Sequence, residues 1–196
     1  MRDIIVVDTE IQNLIMRESD WEHPENMGLA CGVVYEFQTD RYRIFGPAKH
    51  SELAMRLTFA EWIISFNGVR FDYGLIFRCA ANEVSKEIIN KSTDILRVIW
   101  QELKLNPDIF DKITHGGWSL GMICGYCLGV GKINSGENAP RLYQQGRFDE
   151  LHTYCCDDVS LTRDLFNFIR KNKFAATKQK KVNFSDATIS KHFDIL

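Results

Sequence analysis

The amino-acid sequence predicts an α/β protein in which a central mixed β-sheet is flanked by α-helices. Three observations predict it. Three short β-branched or aromatic runs stand at the start of the chain. A fourth apolar run follows a segment with helical spacing. The remaining two thirds is dominated by helical periodicity. A chain of 196 residues, 45% hydrophobic and 26% charged, is long enough for one domain with a sizeable core.

The elements follow in order. Asp3-Ile4-Ile5-Val6-Val7-Asp8 reads as a buried strand. Residues 11–27 are irregular, with Asp20, His23, Pro24 and Asn26 as turn material. Gly28–Phe37 and Arg41–Gly46 read as two strands joined by a hairpin turn at Thr39-Asp40. Residues 50–60 have helical spacing, with Ser51 as the expected cap. Glu61–Asn67 is a strand that stops at Asn67-Gly68, and a helix is expected over Phe71–Ala81. Further helices are expected over Asp94–Leu103, over Ser119–Leu128 with Ser119 as cap, and over Arg147–Phe168 as one or two pieces. Residues 129–140 read as a loop. Arg170–Lys181 holds six Lys or Arg and no acid, a basic stretch that reads as a solvated tail or a phosphate contact.

Charge and cysteine content narrow the class. The formal net charge of −2 lacks the basic excess of a passive nucleic-acid binder, although a metal-dependent enzyme does not need one. No apolar run reaches the length of a membrane span, and the N-terminus has no signal-peptide pattern. The expected location is therefore cytoplasmic, with Cys31, Cys79, Cys124, Cys127, Cys155 and Cys156 reduced. Cys124 and Cys127 have CxxC spacing, but they sit in an apolar stretch where cysteine packs as a small core residue. Adjacent Cys155 and Cys156 diverge by about 100° on a helix, which suits a shared zinc poorly.

The acids carry the chemistry. Asp8-Thr9-Glu10 ends the first strand, and strand alternation puts both carboxylates on one face. Like charges that close favour a cation between them, and hard oxygen ligands select Mg²⁺ or Mn²⁺. Asp72 follows the break after the fourth strand, at the start of the next helix, where its simplest role is a cap. Tyr154 and Asp158 are four residues apart and share one helical face.

Together these segments resemble the three motifs of the DEDD superfamily of RNase H-like 3′–5′ exonucleases. Val6-Val7-Asp8-Thr9-Glu10 is similar to motif one, Phe66–Asp72 to motif two, and Tyr154-x-x-x-Asp158 to motif three of the tyrosine branch. Trp21–Phe37, Leu120–Lys132 and Asp149–Phe166 resemble the stand-alone bacterial and archaeal predicted exonucleases of that branch, so the likeness covers most of residues 3–184. His152 and Asp157 fit the His-x-x-x-x-Asp motif of the histidine branch, so a second register is open.

The resemblance implies an RNase H-like domain over residues 1–169, with 170–196 as a basic tail packed on or extending from it. It implies two-metal hydrolysis of phosphodiester bonds at the free 3′ end of DNA or RNA. Asp8, Glu10, Asp72 and Asp158 are then the metal ligands, and Tyr154 orients the attacking water. Thr9, Asn67, Phe71 and Lys132 are then candidates for substrate contact. The alternatives are a structure-specific endonuclease and an inactive nucleic-acid-binding module on the same fold.

Overall fold

Strand β1 (Ile4–Ile11) is the spine of the protein, because its β-branched residues are buried on both faces. The computed structural model describes residues 2–17, 21–130 and 138–196. β1 pairs antiparallel with β2 (Leu29–Glu36), and β2 pairs antiparallel with β3 (Arg41–Phe45). On its other side β1 pairs in parallel with β4 (Trp62–Ser65), and β4 with β5 (Ser92–Asp94). The sheet order is β3-β2-β1-β4-β5. The hairpin between β2 and β3 turns where expected, with Asp40 at φ 53° and its carboxylate accepting from the Tyr35 hydroxyl.

The helices cover both faces. They are α1 (His50–Phe59), α2 (Asp72–Phe77), α3 (Lys86–Asn90), α4 (Ile95–Glu102), α5 (Lys112–His115), α6 (Leu120–Cys127), α7 (Asn138–Gln144), α8 (Phe148–Asn172) and α9 (Asp186–His192). A separate hairpin joins β6 (Phe174–Ala176) to β7 (Lys181–Asn183). Even-numbered Ile4 and Val6 of β1 enter one core with α4, α6, α8 and α9. Odd-numbered Ile5 and Val7 enter the other with α1 and α2. Arg56 of α1 closes the second layer against the sheet with ion pairs to Asp3 and Glu36.

The structure corrects several sequence expectations. β1 runs through the acids to Ile11, because pairing with β2 continues past Asp8. Ser51 lies inside α1, which starts after Lys49 without a side-chain cap. The helix expected over residues 71–81 stops at Phe77, where Arg78 turns left-handed at φ 52°. Part of the expected 129–140 loop belongs to α7, whose first residue is Asn138. Beyond α8, Val182, Phe184, Ile189, Phe193 and Ile195 share the core of Ile4 and Ile64. Among the described residues, no helix is long and apolar enough to cross a membrane.

Candidate active site

The gap that forms the site follows from strand pairing. β1 is paired with β4 only from Ile4 to Val6, while β1 itself continues to Ile11. Past Val6 the two strands part, and the end of β1 faces a space instead of a neighbour. Openings at the carboxyl ends of parallel strands are where α/β sheets place ligands. A cavity of about 680 Å³ lies here. Asp8, Thr9, Glu10, Asn67, Phe71, Asp72, Tyr154 and Asp158 all line it.

Strand alternation divides these groups between the two layers. Asp8 and Glu10 share the even-numbered face, toward α8. Thr9 takes the opposite face, toward α2, where its hydroxyl donates to Asp72 Oδ1 at 2.5 Å. Glu10, Asp72 and Asp158 are buried, and Asp8 is half-buried. Burial pushes the Asp72 carboxyl up to about 7, reinforced by the negative charge of Asp94 and opposed by the Thr9 hydrogen bond.

Asp72 is held by the turn that precedes it. Asn67 sits at φ 66°, and a Cβ on Gly68 would overlap the Ser65 side chain. The carboxylate of Asp94, at the end of β5, accepts from the backbone N–H of Asn67 at 2.9 Å and of Val69 at 3.0 Å. The Tyr73 hydroxyl lies 3.0 Å from Ser65 Oγ and donates to Ser92 Oγ at 3.1 Å. Asp72 is the first residue of α2, and Phe71 occupies the cap position. Its carboxylate bonds to Thr9 across the site, whereas the sequence alone favoured a cap.

Tyr154 and Asp158 arrive on α8. The helix buries Leu151, Tyr154, Cys155, Asp158, Val159 and Thr162, a stripe with helical spacing that faces the sheet. Asp157 falls off the stripe, is exposed, and lies in an adjoining groove with Arg141 and Arg147 that shares Tyr154 with the cavity. Of the two registers open in the sequence, the structure brings Tyr154 and Asp158 to the cavity of Asp8, Glu10 and Asp72. Lys132 lies outside the described residues.

Several lining residues carried no signal in the sequence. Trp21 packs on Phe71 at 5.0 Å between ring centroids, and Trp118 and Leu96 form part of the wall. Cys155 is the larger surprise. Its Sγ lies 3.5 Å from the Asp8 carbonyl oxygen and 3.7 Å from Asp8 Oδ2. Burial and the neighbouring Cys31 push its thiol well above the usual range, so it acts as a neutral donor to Asp8. Among the described residues, one group of three ligating side chains comes within 4.8 Å of one another: Asp8, Glu10 and Cys155. Cys124 and Cys127 instead serve packing, with Sγ contacts to the carbonyls of Leu161 and Ala176.

His115, close to this site, is buried. Its ring lies 3.0 Å from the Asn106 carbonyl, and its own carbonyl accepts from Trp100 Nε1.

No protein-family profile matches this chain. No curated protein matches it either. Solved structures do share its architecture. The family B DNA polymerase from the hyperthermophilic archaeon Pyrobaculum calidifontis superposes with a TM-score of 0.56 at 13% identity, over 86% of this chain and 24% of the polymerase. Exonuclease I superposes with a TM-score of 0.53 at 14% identity, over 87% of this chain and 41% of that protein. The chain thus spans less than half the length of either. Both likenesses concern architecture, and by them this chain has the RNase H-like fold, a mixed five-stranded sheet flanked by helices.

Proposed function

We propose that this chain is a metal-dependent 3′–5′ exonuclease acting on single-stranded or frayed ends of DNA or RNA. The observation that supports this most is the convergence of Asp8, Glu10, Asp72, Asp158 and Tyr154 on one cavity of an RNase H-like fold. In this reading residues 1–169 form the catalytic domain and 170–196 pack on it.

The donor set fits a hard divalent cation. Four carboxyl groups around one cavity offer oxygen ligands, and together they disfavour the fully ionised state unless positive charge is supplied. Asp8, Glu10 and Asp158 would hold one Mg²⁺ or Mn²⁺, and Asp8 with Asp72 a second. Such ions lower the pKa of bound water and stabilise charge on the leaving oxygen.

The chain's own residues supply the rest. Thr9 favours the ionised form of Asp72 through its hydrogen bond. The Cys155 thiol would support Asp8 as a weak neutral donor. The Tyr154 hydroxyl would orient the attacking water. Asn67 and Phe71, at the cavity wall, would receive the terminal nucleotide.

The test is a time course on linear and circular single strands with Mg²⁺ or Mn²⁺. An exonuclease degrades the linear strand and leaves the circle. Cleavage of the circle indicates an endonuclease on the same fold, and cleavage of neither indicates a binding module.

A further inference from the structure

A second cavity, of about 310 Å³, adjoins the acidic one. The two share Trp21, Asn67, Leu96, Trp118 and Ser119, so they form one continuous surface. The volume lies at the lower end of the ~300–1,000 Å³ range of small-ligand sites. Its character differs from that of its neighbour. Arg70, Trp100, Phe110 and His115 complete the wall, and among the described residues no acid lines it.

The aromatic groups are arranged as a platform. The Arg70 guanidinium lies over the Phe110 ring at 4.5 Å. Trp100 stands edge-on to His115 at 4.9 Å and tilted to Phe110 at 6.1 Å. The Trp100 and His115 hydrogen bonds to backbone carbonyls fix that part of the wall. Phe110 is 39% exposed, a large open ring with a cation stacked on it. At the rim, Lys180 Nζ donates to the carbonyl of the lining residue Gly116 at 2.8 Å. An aromatic floor with basic groups at its edge is the composition that holds unpaired bases by stacking and their phosphates by charge.

We propose that this second cavity is a base-binding subsite. It takes one unpaired nucleobase of the strand whose 3′ end occupies the acidic cavity, stacked against Phe110, with Arg70 and Lys180 toward the phosphates. This rests on the nuclease reading for the direction of the strand. It goes beyond that reading in making one internal base, and not only the terminal nucleotide, a determinant of binding.

The experiment is a scan with abasic oligonucleotides. DNA and RNA single strands carry one abasic position at successive distances from the 3′ end. Binding to the full chain is measured by fluorescence anisotropy in chelator, and hydrolysis is measured in parallel with Mg²⁺. The expected result is a roughly 10-fold loss of affinity at one internal position, in the range of removing a base–aromatic stack. Phe110→Ala should bind the intact strand as weakly as the parent binds that abasic strand, with no further loss on combining the two. Phe110→Trp should restore the discrimination. Equal affinity at every abasic position overturns the proposal, and that measurement needs no variant. An unchanged abasic penalty in a folded Phe110→Ala protein also overturns it, as does failure to bind any strand. Hydrolysis without the penalty overturns the subsite and leaves the nuclease standing. The penalty without hydrolysis does the reverse.

Discussion

The Thr9 hydroxyl donates a 2.5 Å hydrogen bond to Asp72 Oδ1, joining the central strand to the first residue of α2 across the opening of the sheet. The bond stabilises the ionised form of a carboxyl that burial nonetheless raises to about 7. Its consequences are measurable without substrate.

Asp72 makes metal-free stability depend on pH. Its folded pKa is raised above the unfolded value of about 3.9. Between those values the folded state binds more protons, so this contribution to stability falls as pH rises through about 4 to 7. His192 acts in the opposite sense. Burial lowers it to about 4, so its contribution rises with pH up to about 6.5. Comparing Tm of the parent and Asp72→Asn in chelator isolates the first term. The variant should gain on the parent from pH 5 to about 7 and level off above that.

Metal binding should reverse that trend. A carboxyl must lose its proton to hold a cation, so Mg²⁺ or Mn²⁺ should raise Tm more at pH 8 than at pH 6. At 100 times Kd the stabilisation is about 2.7 kcal/mol. Asp8→Asn should remove most of it in the same thermal-shift measurement.

The turn that carries Asp72 depends on Asp94. Asp94→Ala leaves the N–H groups of Asn67 and Val69 without their acceptor. The expected cost is ~2–4 kcal/mol, from one buried and one part-buried donor and a lost cap on α4. Urea unfolding measures it. Asp94→Asn should cost less, because the amide oxygen still accepts.

The motif register predicts unequal effects for adjacent acids. Asp158→Asn should lower kcat by at least ~10²-fold, and Tyr154→Phe by ~10–10²-fold. Asp157→Asn and His152→Ala should stay within about 3-fold of the parent, since Asp157 is exposed and does not line the cavity of Asp8, Glu10 and Asp72. Steady-state kinetics on a single-stranded oligonucleotide separates them.

How far the sequence revealed this site differed from residue to residue. The order of the first four strands and the helical spacing of α8 were readable because periodicity reports burial directly. Strand alternation put Asp8 and Glu10 on one face, and helical spacing put Tyr154 and Asp158 on one face of α8. Asp94 was hidden, since a three-residue strand has no period and its partners are backbone groups 25 and 27 residues away. Cys155 was hidden too. Its neighbours Asp8 and Cys31 come from two other strands, and only the packing of α8 on β1 and β2 brings them together. The aromatic wall of Trp21, Trp100, Phe110 and Trp118 comes from four separate segments, and nothing local marks its members as neighbours.

The most direct test of the central claim uses a single-stranded oligonucleotide labelled at its 5′ end and incubated with Mg²⁺ or Mn²⁺. The proposal expects a ladder that shortens one nucleotide at a time from the 3′ end, stops in excess chelator, and is absent with Asp8→Asn. Release of the label as a mononucleotide at the earliest times, or a ladder of equal rate from the Asp8→Asn protein, contradicts it.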